Sequence, residues 1–256
     1  MFQIVQKRKF WYIISVATLV LGLVFIWLWG LKFSIDFTGG SLLELQFSQN
    51  NPDLSKITVA VEAAGVKGAL VQPAGEQTVI IRSESLPEET HQIILKGIKD
   101  KFAPDQISVS ESRFDSIGPV IGKEMKQKTI WAIILVLLAI IAYIGFSFRK
   151  VSFPVPSWKY GVAAVVALFH DLVMTVGFYA LLGKLAGAEV DSLFIMALLT
   201  VLGFSVHDTI VTFDRIRENL LRRRDQSFEN IVNISINETI VRSINTSLTA
   251  VLALTA

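Results

Sequence analysis

The chain has 256 residues, of which 52% are apolar and only 18% charged, and its mean hydropathy is +0.54. This excludes a soluble domain of ordinary composition, because the apolar residues gather into uninterrupted runs instead of the stripes that line a globular core. The 24 basic and 22 acidic residues nearly cancel, which argues against a nucleic-acid binder, and the absence of cysteine removes disulfides, thiolate metal sites and cysteine nucleophiles.

Lys7, Arg8 and Lys9 precede Phe10 to Leu28, a run of 19 residues without a charge, close to the roughly 20 needed to cross about 30 Å of hydrocarbon. Trp29-Gly30-Leu31 offers no small-residue cleavage site, so residues 1–30 read as a cytoplasmic N-terminus and an uncleaved first span.

Residues 31–128 follow as an exported domain. Leu43, Leu45 and Phe47 alternate with Glu44 and Gln46 as in a half-buried strand; Asp53 caps a helix with Leu54, Ile57 and Val61 on one face, and Gly65 ends it. Short strands over 70–72 and 78–82 flank a Pro73-Ala74-Gly75 turn. Ser85 and Glu88 then have the spacing of a capping box before a helix bearing Ile94, Leu95, Ile98 and Phe102, and a last strand begins near Ile107. The order β-α-β-β-α-β predicts a small ferredoxin-like α+β domain. His91 and the scattered acids form no metal or nucleophile constellation and predict a solvated surface, with no enzymatic site.

The rest of the chain, 129–256, predicts a membrane bundle with spans over 129–148, 160–182, 192–213 and 239–256, giving five spans in all. The segment 214–238 between the last two predicts a cytoplasmic amphipathic loop: it extends the fourth helix, then places Phe228, Ile231, Val232 and Ile236 on one interfacial face. Orientation follows from Lys and Arg in short segments. Lys7, Arg8, Lys9, Arg149, Lys150, Lys159, Arg215, Arg217, Arg222, Arg223 and Arg224 all fall on one side, whereas the short loop 183–191 holds Lys184 alone, so the N-terminus is expected in the cytoplasm. The chain stops at Ala256 inside an apolar run, and a sixth span is expected beyond it.

Ionisable groups inside a membrane cost roughly 2.5 to 3.5 kcal/mol each on insertion scales, so they mark sites that are paired, wet or useful. Asp208 lies about 9 Å deep in the fourth span and Arg242 about 6 Å deep in the fifth, counted from the same face at 1.5 Å per residue. The spans run antiparallel, so a pair is geometrically allowed. Thr212 is one turn from Asp208 and Thr246 one turn from Arg242, and hydroxyls suit a water-holding or proton-relaying role; a salt bridge that merely glues two helices is the competing explanation. His207 precedes Asp208, and His170-Asp171 repeats the His-Asp pair near mid-membrane in the third span. No metal-ligand spacing is present, and no cofactor or metal is expected.

Three stretches, GLKFSIDFTGG from Gly30 to Gly40, HDTIVTFDRIREN from His207 to Asn219 and RSINTSLT from Arg242 to Thr249, resemble SecF. SecF is the membrane subunit of the bacterial SecD-SecF protein-export complex, in the RND transporter superfamily, and the resemblance spans essentially the whole chain. It implies an RND-type bundle in the bacterial inner membrane, SecD and the SecYEG channel as partners, and proton-motive force helping to draw unfolded polypeptide across. Membrane lipids are contacts, protons the coupling ion with Na⁺ as alternative, and nucleic acid no partner. The resemblance places Asp208 and Arg242 on the family's intramembrane charges and Thr246 in a supporting role in the same motif. Asp36, Gly39 and Gly40 fall on its motif at the outer membrane boundary, where a structural hinge is expected. Two other functions remain open at this stage: half of an ion-driven lipid or small-molecule exporter, and a passive scaffold in which the charges only pack.

Overall fold

The computed structural model describes residues 2–147, 155–223 and 225–255. Arg149, Lys150 and Arg224, three of the residues on which the orientation rests, lie outside the described residues, as do Phe148 and Ala256. The chain divides into two units, residues 33–129 and residues 1–32 with 130–256.

In the first of these units, the short helix α2 (Ile35–Thr38) leads into β1 (Gly40–Phe47), followed by α3 (Leu54–Ala63), β2 (Leu70–Pro73), β3 (Thr78–Ser83), α4 (Glu88–Phe102) and β4 (Val109–Ile117). The four strands form one antiparallel sheet in the order β2-β3-β1-β4, the ferredoxin-like arrangement expected from the element order. Because side chains alternate along a strand, Leu43, Leu45 and Phe47 of β1 and Val79 and Ile81 of β3 reach one face. They are buried there against Ile57, Ala60 and Val61 of α3 and Ile94, Leu95, Ile98 and Phe102 of α4. The Asp53 carboxylate accepts from the Ser55 N–H at 2.9 Å, so the first helix is capped as its sequence predicts.

Two local expectations fail. The Ser85–Glu88 capping box does not form: the helix begins later, with Pro87 at its N-cap, so the Ser85 hydroxyl turns to that of Ser116 at 3.2 Å. His91 is not on a solvated surface but only 2% exposed. It lies one turn before Ile94 and Leu95, hence on the buried face, and its ring stacks on Phe114 at 3.7 Å while its nitrogens meet Glu88 at 3.2 Å and Glu111 at 3.1 Å. The Glu88 carboxyl is held below its ordinary value of 4.5, first by the Gln92 amide and then by the His91 ring. A carboxyl depressed by folding stabilises the fold above its unfolded value, and that contribution is lost as the pH falls through the folded value. Glu88→Gln should therefore melt below wild type at neutral pH and converge with it in strong acid, as followed by circular dichroism.

The other unit is helical. It contains α1 (Arg8–Trp29), the membrane part of α5 (Pro119–Ser147), α6 (Ser157–Leu185), α7 (Ser192–Arg222) and α8 (Phe228–Thr255). Among the described residues four helices are long and apolar enough to cross a membrane: Val5–Trp29, Pro119–Ser147, Trp158–Leu185 and Ser192–Arg222. The fifth predicted span lies in α8, which differs because Arg242 and a series of Asn, Ser and Thr residues lower its hydropathy. The expected separate interfacial helix within 214–238 is also corrected, since Phe228 to Thr255 is one continuous helix. In it Ile231 of the predicted apolar face is 2% exposed, but Asn233 and Ser235 are buried as well while Phe228 is 45% exposed, so polar residues share the inward side with apolar ones.

α1 packs along α6 through glycine. A Cβ on Gly177 would lie 2.4 Å from Gly22 Cα, and one on Gly22 would lie 2.9 Å from the Val173 carbonyl oxygen. In lipid no hydrophobic force drives helices together, so close backbone approach at small residues supplies the packing. Gly177→Val should weaken this contact by about 1–3 kcal/mol, seen as a lowered melting temperature of the detergent-solubilised chain.

Candidate functional site

Ser205, Asp208, Thr212, Arg215 and Asn219 follow one another along α7 at alternating spacings of three and four, the period that keeps side chains on one helix face. This seam meets its neighbours in order. The Ser205 hydroxyl donates to Asp171 Oδ2 on α6. Thr212 Oγ1 lies 3.4 Å from Thr239 Oγ1 on α8. Arg215 Nε donates to Glu238 Oε2 at 2.6 Å, and Asn219 Nδ2 donates to Ser235 Oγ at 3.0 Å and Glu238 Oε2 at 2.8 Å. Asp208 is the interruption: its Oδ1 is buried and has no hydrogen-bond partner among the described residues.

Arg242 does not complete the seam. Its side chain is exposed and, among the described residues, makes no ion pair within 4.0 Å. It lines a cleft of about 520 Å³ with Ser147, Val211, Asp214 and Glu238, and a second groove with Phe204, Asn245, Thr246 and Thr249. Arg242 and Thr246 are thus brought together, whereas Asp208 lines neither space. His207 is exposed and takes no part in the seam.

His170 and Asp171 are engaged on both sides. His170 Nδ1 lies 2.9 Å from Asp171 Oδ1, and its Nε2 lies 3.1 Å from the Ser15 carbonyl oxygen and 3.3 Å from Thr18 Oγ1, both on α1. Together with the Ser205 bond, this joins α1, α6 and α7.

In the other unit, Ser34 Oγ accepts from the Asp36 N–H at 3.2 Å and opens α2. Gly39 follows at φ +73° and Gly40 at φ +121°, conformations that side chains disfavour. There is also no room for a side chain. A Cβ on Gly39 would fall 2.8 Å from Pro119 Cα, one on Gly40 2.8 Å from the Ser83 carbonyl oxygen, and one on Gly122 2.6 Å from the Gly39 nitrogen. The corner where β1 starts is therefore packed backbone to backbone against the first turn of α5.

Residues 98–256 match the family described as protein export membrane protein SecD/SecF, C-terminal, and residues 30–50 match the SecD/SecF GG motif. The chain belongs to the SecD/SecF family. It is 43% identical to the protein translocase subunit SecF of Thermobaculum terrenum over all of this chain and 82% of that protein. With SecF of Anaerolinea thermophila the identity is 38%, over 98% of this chain and 80% of the relative. SecDF of Bacillus subtilis is 32% identical over 96% of this chain, which spans 32% of that longer protein. The crystal structure of SecDF from Thermus thermophilus, a translocon-associated membrane protein, superposes with a TM-score of 0.76 at 28% identity, covering 98% of this chain and 32% of that one. With its apolar helices, membership of this family makes the chain a multi-pass membrane protein.

In SecD/SecF terms, the packed Gly39–Gly40 corner is the GG motif. Sequence reasoning found Asp208 and Thr212 but passed over Arg215, Asn219 and Glu238, treating the arginines as topology signals. The three-four spacing of polar residues through an apolar helix was the available signal. Asn219 is only 3% exposed, and its removal leaves Ser235 and Glu238 short of a donor. Asn219→Ala should therefore loosen the α7–α8 contact by about 1–3 kcal/mol, measurable as faster proteolysis after Arg222 and a lower melting temperature.

Proposed function

We propose that this chain is the SecF-type subunit of a bacterial protein-export complex. In this reading it pairs with a SecD-type subunit in the inner membrane, has its N-terminus in the cytoplasm, works beside the SecYEG channel and couples proton-motive force to polypeptide translocation. Asp208 carries the proton. The observation that supports this most is the gap in the α7 seam: a carboxyl oxygen buried in a membrane helix with no donor, beside a helix whose Arg242 is unpaired among the described residues. The pairing with SecD is supported by relatives in which the two are one chain, such as SecDF of Bacillus subtilis.

In the proposed cycle Asp208 holds its proton while Arg242 lies at the cleft and gives it up when Arg242 is brought to the seam, where the guanidinium can donate to the carboxylate. Thr212 and Thr239 stand one turn on and offer hydroxyls to the departing proton. One charge moved through 100 mV supplies roughly 2.3 kcal/mol, enough to shift a two-state bundle by more than tenfold. The lone carboxyl offers one titratable group rather than the several oxygens a sodium ion requires, which favours H⁺ over Na⁺ as the coupling ion.

Precursor translocation in energised vesicles containing the complete complex tests this directly. Asp208→Asn keeps the shape but cannot titrate, and should abolish the stimulation by a proton gradient while insertion and association with the SecD-type subunit persist. Arg242→Lys retains charge but loses the planar multi-donor head and should impair it. Full stimulation in Asp208→Asn at wild-type protein levels, or stimulation that follows a sodium gradient alone, would refute the assignment.

A further inference from the structure

Asp171 is the midpoint of α6, fourteen residues from Ser157 and fourteen from Leu185. At 1.5 Å per residue this places His170 and Asp171 about 21 Å from either end of the helix, the most costly depth for a charge. Neither residue is used in the proton step proposed for Asp208, yet each of their polar atoms is engaged.

The partners determine where the hydrogens are. The Ser15 carbonyl can only accept. The Thr18 hydroxyl gives its hydrogen to the carbonyls of Ile14 at 3.1 Å and Ser15 at 3.0 Å, so towards His170 it also accepts. Both contacts of Nε2 therefore require Nε2–H. On the other side of the ring, Nδ1 and Asp171 Oδ1 are 2.9 Å apart, and that contact needs one hydrogen between them. Either an imidazolium Nδ1–H donates to a carboxylate, or a carboxylic acid O–H donates to a neutral imidazole. In both cases the pair holds one proton in addition to Nε2–H, and its net charge is zero. Asp171 Oδ2 accepts from Ser205 in either form. Removing the shared proton would leave two acceptors face to face and a net negative charge; adding a second would leave a net positive one.

We propose that His170 and Asp171 form a net-neutral dyad whose single proton stays in place through the export cycle, and that the dyad is a positioning device. It ties α7 to α6 and α1 at Ser205, one turn before Asp208, and so fixes the face on which Asp208 is presented. This role in export rests on Asp208 being the proton carrier; the proton count of the dyad does not. No bond connects the dyad to α8 among the described residues; α8 is held to α7 instead through Thr212, Arg215 and Asn219, all on the C-terminal side of Asp208.

Asparagine at position 171 is the discriminating change. Its amide N–H donates to a neutral His170 and its carbonyl accepts from Ser205, reproducing every bond with no transferable proton. In the full chain with its SecD-type partner in energised vesicles, Asp171→Asn should keep export stimulation within about twofold of wild type, whereas Asp171→Leu, which strips both neighbours of their partner, should lower it about tenfold. Ser205→Ala removes only the bond to α7 and provides the same comparison if the leucine variant fails to insert, with an expected loss of about threefold. Nitrogen NMR of labelled histidine, assigned by comparison with His170→Phe, should show hydrogen on Nε2. Asp171→Asn as inactive as Asp208→Asn at full protein level would overturn the proposal, because the dyad would then have to exchange its proton. Wild-type activity in Ser205→Ala, or a bare Nε2, would overturn it as well. Retained stimulation in Asp208→Asn would instead sink the proton-carrier assignment and leave the nitrogen measurement standing.

Discussion

The membrane unit depends on one constraint: inside a bilayer a polar side chain is hydrogen-bonded by protein or not at all. The polar face of α7 meets it through two neighbours in succession. Ser205 is bonded on α6, while Thr212, Arg215 and Asn219 are bonded on α8. Asp208 stands where the seam passes from one neighbour to the other, and there its buried Oδ1 has no hydrogen-bond partner among the described residues. The position with the most to gain from a partner is the one left without it, and the proposed proton step is placed there for that reason.

The same constraint explains why the two His-Asp pairs, alike in sequence, differ in the structure. His170 and Asp171 satisfy each other and three further groups on two helices. His207 turns outward and leaves Asp208 alone. Rigidity on one side of α7 and an unmet demand on the other are the two features on which the proposed proton step rests.

The other unit is stabilised by the usual solvent contrast. Leu43, Leu45, Phe47, Val79 and Ile81 leave water for a core closed by two helices, a gain of about 1.5–3 kcal/mol for each large side chain. The membrane helices leave Phe10, Ile13, Leu135 and Leu138 more than half exposed, since lipid gives these side chains no reason to turn inward. Their contacts rely on what lipid cannot supply, namely the glycine crossing of α1 on α6 and the polar seam of α7.

The strand alternation, the Asp53 cap, the order of the ferredoxin-like elements and four of the apolar spans were legible in the sequence, because each is written in neighbouring residues through a period of two, a cap spacing or an uninterrupted run. The sequence also singled out Asp208, His170 and Asp171, because a charge in an apolar run is visible without coordinates. Glycines at 39 and 40 were visible too, but their reason, the backbone of Pro119 and Ser83 within 3 Å of any added Cβ, comes from residues far away in the chain. Contacts across the fold were needed to show that Asp208 and Arg242 stand apart, that His91 is buried against Phe114, that the segment 228–236 continues unbroken into the last helix with Asn233 and Ser235 buried beside Ile231, and that Glu238 gathers Arg215, Arg223 and Asn219. These are questions of which donor reaches which acceptor across helices, and hydrophobic periodicity, which orients a helix towards core or lipid, carries no information on where along a neighbouring helix its polar partner lies.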